Sequence, residues 1–289
     1  MASEEGRGTM RHVRRTGLGL VAVVALSVPL APSALGAEYN LHALPEIGRC
    51  VRVGKGAGEF RGGVCTQGKP KARYAWHSGP GANKLFTGSF GTTRLNTAGD
   101  EISCLGATAE GEFTGPKTLT VKKLVLEACE LSAVTGAARF CQNSMGTNGV
   151  INANELVGEL GFISRAKPKR PIVGIDLKPA SGSNLALFEC GGANEPLGKS
   201  LGNGTTRELQ GSVVGKIEPI DAMGSDLAVP FEAVGASQSP EALEGGVKDT
   251  LTTLVGMSKT AEATVLRGVW HLKSQEPLEV LAKCKGSGC

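Results

Sequence analysis

Eight cysteines offer the most chemistry in this sequence, because cysteine can form disulfides, bind zinc or act as a nucleophile. They are Cys50, Cys65, Cys104, Cys129, Cys141, Cys190, Cys284 and Cys289. Structural zinc sites favour tight Cys-x-x-Cys spacings, and none of these spacings has that form. An even number of cysteines behind an export signal is typical of a disulfide framework. We therefore predict disulfides and no metal site.

The spacing of the cysteines suggests how they pair, although it leaves many connectivities open. Three pairs would each close a short local loop: Cys50 with Cys65, Cys129 with Cys141, and Cys284 with Cys289. Cys104 would then pair with Cys190. The sequence predicts these four bridges.

Histidines are the next candidates for chemistry. His77 stands beside a serine in YAWHSG, and His271 follows Trp270. On an extended chain, neighbouring side chains point to opposite faces, so an adjacent serine cannot be assumed to meet the imidazole. A thiol nucleophile would need an unpaired cysteine, which the disulfide prediction removes. The alternative function is a secreted hydrolase whose site forms only on folding, in a cleft holding His77 or His271 against a carboxylate or thiol.

Tyr74 and Trp76 would share one face of a strand, and His77 follows them. Exposed aromatic faces are what sugar-binding platforms need. These three residues are the candidate ligand contact, with the cell wall or a glycan as partner. The competing interpretation is that both rings pack against the core.

The sequence gives little indication that the chain binds nucleotides, other cofactors or nucleic acids. Residues 192–200 (GANEPLGKS) resemble a phosphate-binding loop, but the segment is one residue too long and Pro196 lacks the N–H that such a loop needs. The basic runs at 69–73 and 167–171 alternate with proline, which is typical of solvated loops. We predict no cofactor and no nucleic-acid partner.

Residues 1–37 have the character of a signal peptide. Basic residues at 11–15 precede an apolar stretch, TGLGLVAVVALSVPL, and small residues follow it up to Ala37. Cleavage near Ala37 would remove four arginines and two glutamates, which lowers the net charge from +4 to +2. The remaining sequence has no apolar run long enough to span a bilayer. We therefore expect a secreted or cell-envelope protein without a transmembrane span.

Glycine clusters punctuate the chain, and the apolar residues between them alternate with polar ones at every second position. Strands are predicted at 119–122, 172–177, 185–190, 209–217, in ATVLRGVWHLKS and in EPLEVLAKC. The fold class is all-β: an antiparallel sandwich or barrel-like sheets with Gly-rich turns and at most one or two short helices. Residues 38–289 would form one domain, with 191–204 as a loop or linker.

One segment carries the pattern of a helix. Residues 240–254 follow Ser239, a candidate N-cap, and place Glu241 and Glu244 in the first turn. Gly245 and Gly246 weaken the pattern, so the predicted helix is short.

Several motifs resemble a known group of proteins. They are ISC at 102–104, GEFTG at 111–115, CELSAVTGAARFC at 129–141, LVGELGFIS at 156–164, VGIDLKP at 173–179, FEC at 188–190 and GSVVGKIEP at 211–219. This stretch resembles uncharacterised secreted, Cys-containing, β-rich proteins from high-GC Gram-positive bacteria. The resemblance implies export and a β-rich fold. That group has no assigned activity, so it implies no functional residue.

Together these observations predict a secreted, disulfide-stabilised, non-enzymatic protein of the cell envelope or the extracellular space. Its role would be structural or binding, because the sequence shows a disulfide framework and strand patterns but no recognisable catalytic motif.

Overall fold

Antiparallel strands make up all the regular secondary structure that the computed structural model describes. The described residues are 44–65, 68, 72–97, 99–132, 139–144, 146–165, 170–191, 205–257 and 260–283. In chain order the strands are β1 (Glu46–Arg52), β2 (Tyr74–Ser78), β3 (Leu85–Phe90), β4 (Thr93–Asn96), β5 (Glu101–Phe113), β6 (Thr118–Ser132), β7 (Arg139–Gln142), β8 (Ile151–Asn152), β9 (Leu156–Ser164), β10 (Ile172–Pro179), β11 (Asn184–Cys190), β12 (Thr205–Gly211), β13 (Val213–Lys216), β14 (Gly224–Val234), β15 (Ser237–Ser239), β16 (Leu251–Val255), β17 (Glu262–Ala263) and β18 (Val265–Leu281). The all-β prediction is confirmed.

Most of these strands form a barrel-like sheet that closes on itself. Its order is β13, β10, β9, β6, β5, then β3 and β4 in line, then β18 and β14. Reciprocal backbone hydrogen bonds between Glu218 and Ala228, of 2.9 and 2.7 Å, join the chain just after β13 to β14. This pairing completes the ring, so the sheet has no free edge there.

The alternation seen in the sequence determines which side chains fill the barrel. Leu119 and Val121 are each 1% exposed, and the polar residues between and after them point outward. Trp270 is 1% exposed and its ring stacks on Phe90 with centroids 5.6 Å apart. Glycines on the inner face leave room for these rings, since a Cβ added at Gly88 would collide with the indole of Trp270. The barrel interior below its mouth is therefore tightly packed.

A second sheet, here called the lid sheet, covers one mouth of the barrel. It runs β7, β11, β12, β16 and β17, and β7 also pairs with the far end of β6. The lid sheet is thus continuous with the barrel through β7. Its buried side, which includes Phe188, Leu209 and Leu251, belongs to the same apolar core as the barrel residues.

A third, small sheet joins β1 to β2 and to the last residues of β18. Leu278 and Val280, predicted to lie in a strand, are 1% and 0% exposed. The strand predicted at 209–217 is two strands, because Gly211 has a φ of +97° and ends β12.

The helix predicted for residues 240–254 is wrong. Residues 240–250, here called the strap, contain no helix, and residues 251–255 form β16, which pairs with β12. Gly245 has a φ of +77°, which interrupts a helix. Pairing with β12 gives the backbone groups of residues 251–255 (LTTLV) their hydrogen-bond partners, and threonine and valine favour strands. Tertiary pairing has overridden the local capping signals.

Three disulfides lie within the described residues. Cys50–Cys65 agrees with the prediction from spacing. The predicted bridges Cys129–Cys141 and Cys104–Cys190 are wrong, because the bonds are Cys104–Cys129 and Cys141–Cys190. In each of these bonds the two cysteines are direct partners across neighbouring antiparallel strands. The remaining cysteines, at 284 and 289, lie outside the described residues, as do the predicted signal peptide (1–37) and residues 192–204 of the predicted linker.

Candidate functional site

The predicted ligand-contact residues lie together on β2. Tyr74 and Trp76 are half-buried and share one side of the strand, while His77 is exposed on the other. Tyr74 and Trp76 are thus alternate residues of one strand, and neither ring is fully exposed.

Trp76 is fixed by a buried carboxylate that the sequence analysis missed. Its Nε1 donates a hydrogen bond of 2.8 Å to Glu46 Oε1, and Ser78 Oγ donates one of 2.5 Å to Glu46 Oε2. Glu46 is only 5% exposed. The indole ring lies over Gly48, where a Cβ would collide with it. No motif marks Glu46, because its role depends on the pairing of β1 with β2.

The histidines do not meet a partner group. His77 and His271 are exposed, and among the described residues neither side chain makes a hydrogen bond or an ion pair. The described cysteines are all in disulfides. No group of three or more His, Cys, Asp or Glu in the described part of the chain is arranged to hold a metal ion. The cleft that the hydrolase alternative needs, with a histidine against a carboxylate or thiol, is therefore not assembled by the described residues.

One aspartate of the strap lies near a half-buried aspartate of the barrel. The pKa of Asp176 on β10 is raised from 3.8 to about 6, first by burial and then by the charge of Asp249. Ser212 Oγ donates to Asp249. Lys178 Nζ lies 3.9 Å from Asp176 Oδ2 and opposes the shift. Burial and the neighbouring carboxylate thus both favour the protonated form of Asp176.

The strap is held against the barrel at its other end too. Glu244 N–H donates to the carbonyl of Phe162 at 2.6 Å, and the Glu244 carboxylate pairs with Arg165 at 2.5 Å. Leu243 covers Gly161 on β9. The strap leads directly into β16 of the lid sheet, so its contacts position that strand.

An apolar cavity lies between the barrel mouth and the lid sheet. Its volume is about 70 Å³, and no polar surface lines it. The barrel contributes Phe90, Leu124 and Leu126, and the lid sheet contributes Phe188, Leu209 and Leu251. An empty cavity of that size costs about 2 kcal/mol of stability at roughly 24 cal/mol per Å³. A ligand that filled it would recover this energy.

A buried arginine lies on the same strand as one cavity-lining residue and opposite another. Arg207 on β12 is 3% exposed, lies two residues before Leu209 and is the strand partner of Phe188, and both of those residues line the cavity. Its Nη2 pairs with Asp100 Oδ2 at 2.6 Å. Among the described residues, no group accepts a hydrogen bond from its buried Nε or Nη1. The sequence analysis missed Arg207, since a lone arginine in TTRELQG carries no signal.

A second depression, of about 310 Å³, lies beside Asn143, Asn154 and Glu189. Neither cavity is lined by a histidine, by Glu46 or by the Asp176–Asp249 pair. Of these two cavities, the enclosed apolar one is better suited to hold a small apolar ligand.

Comparison of the chain with protein-family models, with curated proteins and with solved structures finds no match. Within the described residues, no helix is long and apolar enough to cross a membrane. The strands and the bridges define an all-β, disulfide-containing protein.

Proposed function

We propose that this chain is an exported, non-enzymatic binding protein that acts in the cell envelope or outside the cell. The observation that carries the proposal is its disulfide framework. Five of the six bridged cysteines are at most 3% exposed, and two of the bridges join neighbouring strands. Disulfides of this kind persist in oxidising compartments and are rare in the cytosol. The signal-peptide character of residues 1–37 supports the same conclusion.

Binding rather than catalysis is supported by how the reactive groups are used. Glu46 accepts hydrogen bonds from Trp76 and Ser78, and the Asp176–Asp249 pair lies under the strap. The apolar cavity, in contrast, is open for a ligand. As part of this proposal, the chain is related to the secreted, β-rich proteins of high-GC Gram-positive bacteria that its motifs resemble.

The test is a non-reducing peptide map of the full chain expressed in a bacterium with a general secretion pathway. We expect the exported product to begin near residue 38 and to contain the bridges 50–65, 104–129 and 141–190. The variant Val24→Arg, which places a charge in the apolar stretch, should keep the protein in the cell, whereas Ser27→Thr should not. A full-length chain with free thiols in the cytosol would overturn the proposal.

A second candidate function is contact with a cell-wall glycan at Tyr74 and Trp76. The observation that favours it is that the hydrogen bond to Glu46 holds the half-exposed indole in one orientation beside Tyr74. A fixed aromatic face costs less entropy on stacking with a sugar. Sedimentation with purified cell walls tests it: Tyr74→Ala should weaken retention, while His77→Ala, on the other side of β2, should not. Equal retention of both variants would refute this role.

A further inference from the structure

The lysines and arginines of this chain are unevenly distributed. Residues 44–78, which contain β1 and β2, hold seven of them and two glutamates, a net charge of +5. Residues 79–289 hold 20 lysines and arginines and 22 acidic residues, a net charge of −2. Positive charge is therefore concentrated in the third sheet and its loop, whereas the remainder of the folded chain is nearly neutral.

Four of these cations lie at one end of the third sheet, here called the basic end: Arg52, Lys55, Arg61 and Arg73. β1 pairs with β18 only through residues 46–48, and residues 49–52 pair with β2 alone. Beyond that pairing, the N–H of Val53 donates to the carbonyl of Arg73 at 2.6 Å, and the N–H of Arg73 donates to the carbonyl of Phe60 at 2.9 Å. The N–H of Gly56 donates to Ala72 at 2.9 Å. These hydrogen bonds bring the four cations together at the end of the sheet that does not pair with β18.

The charges of the basic end are not neutralised by the folded chain. All four side chains are exposed. Arg52, Lys55 and Arg73 form no ion pair with any residue that the structure describes. Lysines on the barrel, in contrast, lie against carboxylates, as Lys122 lies 2.8 Å from Glu112. The basic end is therefore a surface of excess positive charge, which fits an anionic partner.

The loop that carries these cations is fixed by the fold. The disulfide Cys50–Cys65 closes the segment that contains three of the four. Phe60, in the same segment, is 4% exposed and bridges to β2. The segment from residue 49 to residue 78 contains one acidic residue, Glu59. A partner therefore meets cations whose backbone positions are already set, which lowers the entropy cost of binding.

Aromatic rings adjoin the basic end. Arg52 on β1 is the direct partner of Tyr74 on β2, so these two side chains lie on one face of the sheet. Trp76 is two residues further along β2 and shares that face. Its hydrogen bond to Glu46 holds the indole against the sheet, so the ring is not free to swing out into a lipid bilayer. Fixed, half-exposed rings beside cations suit a sugar that carries negative charge.

We propose that the basic end binds an acidic polysaccharide, whose anionic groups pair with Arg52, Lys55, Arg61 and Arg73. The proposal rests on the candidate contact of Tyr74 and Trp76 with a glycan and specifies the charge of that glycan. One exposed ion pair contributes little by itself. A polymer with charges on successive sugars pairs with several cations at once, and this multivalency strengthens the binding.

The experiment measures the binding of fluorescently labelled polygalacturonate, a linear polysaccharide with a carboxylate on each sugar, to the disulfide-intact protein by fluorescence anisotropy. Labelled dextran is the neutral comparison. We expect polygalacturonate to bind at least tenfold more tightly than dextran at about 50 mM NaCl, and to lose most of that advantage at about 300 mM NaCl because salt screens exposed charges. Equal binding of the two polymers, or binding of polygalacturonate that salt does not weaken, would overturn the proposal.

Paired variants locate the binding on the protein. Arg52→Gln together with Arg73→Gln removes two charges of the basic end and should weaken polygalacturonate about tenfold. Arg94→Gln together with Arg170→Gln removes two exposed arginines elsewhere and should change the affinity less than twofold. Lys55→Gln, in the exposed turn, is an independent variant and should weaken binding about threefold. Equal losses in the two double variants, or none with Lys55→Gln, would contradict the assigned surface.

Tyr74→Ala separates this inference from the glycan contact on which it rests. If Tyr74→Ala weakens polygalacturonate while Arg52→Gln with Arg73→Gln does not, the charge inference fails and the aromatic contact stands. If only the arginine variant weakens it, the charge inference stands and the aromatic contact fails.

Two other anionic partners are compared at equal concentrations of negative charge. Single-stranded DNA represents a nucleic acid, and phosphatidylglycerol vesicles represent a membrane. We expect both to bind the wild type more weakly than polygalacturonate does. Tighter binding of either would overturn the choice of a polysaccharide.

Discussion

Cys104 and Cys129 face each other directly across strands β5 and β6, and their sulfurs form a disulfide at that point. Cys141 and Cys190 are related in the same way across β7 and β11. The second bridge lies within the lid sheet and links β11 to β7, the strand through which that sheet joins the barrel. The pairing therefore follows the register of the ladders rather than distance along the chain.

Removal of the lid-sheet bridge, Cys141–Cys190, should cost more stability than removal of the Cys50–Cys65 bridge. The loop closed by Cys141–Cys190 spans 49 residues and that closed by Cys50–Cys65 spans 15. Chain entropy predicts losses of about 4 and about 3 kcal/mol for the corresponding double alanine variants. Urea unfolding measures both. A loss below about 1 kcal/mol for the lid-sheet pair would show that this bridge is not formed.

The ion pair of Arg207 with Asp100 should respond unequally to removal of its two partners. Asp100→Ala leaves a buried charge without its partner and should cost about 2 kcal/mol, less than for a fully buried pair because Asp100 is partly exposed. Arg207→Met removes the charge together with its desolvation cost and should be within about 1 kcal/mol of the wild type. Thermal and urea unfolding at neutral pH measure the two variants. Equal losses would contradict this account.

The Asp176–Asp249 pair should make the protein less stable as the pH rises from about 4 to about 6. The pKa of Asp176 is raised from 3.8 to about 6 in the folded state, so the folded state binds the proton more tightly than the unfolded state. The stabilisation is complete below pH 3.8 and is lost as the pH passes through 6. Asp249, Glu159 and Lys178 are the charged groups that act on this carboxyl.

Asp249→Asn tests the pair, because the amide donates to Asp176 without adding charge. We expect the free energy of unfolding of the variant to exceed that of the wild type by about 1 kcal/mol at pH 7 and by little at pH 4. The difference is small because solvent screens the charges at this partly exposed site. Asp226→Asn, which alters an exposed residue on β14, is the control. The pKa of Glu112 is lowered to about 2 by hydrogen bonds from Lys122 and Lys84, so its contribution to stability is lost as the pH falls. This contribution is the same in all the variants. A stability difference between Asp249→Asn and the wild type that does not change with pH would contradict the raised pKa of Asp176.

Glu46 should hold Trp76 in place. Glu46→Ala removes a buried carboxylate that accepts hydrogen bonds from Trp76 and Ser78 and should cost about 2 kcal/mol of stability. The tryptophan emission of the folded protein should also move to longer wavelength as water reaches the indole. Glu59→Ala, at an exposed position, should change neither. An unchanged emission spectrum in Glu46→Ala would contradict the assigned contact.

The sequence alone determined the fold class, because the alternation of apolar and polar residues is a local property of a strand. Leu119 and Val121 show this, since the face they were expected to share is buried. One disulfide, Cys50–Cys65, could also be predicted from the sequence because it closes a short loop. The pair Tyr74 and Trp76 was placed on one face by the same period of two.

Only the tertiary structure decided which distant residues meet. The pairing of Cys104 with Cys129 depends on the register of β5 against β6, and residues 251–255 became a strand because β12 offered them partners. The same holds for Glu46 beside Trp76, for Asp249 near Asp176, and for Arg207 against Asp100. Each of these contacts joins residues far apart in the chain, and local patterns contain no information about the ladder that brings them together.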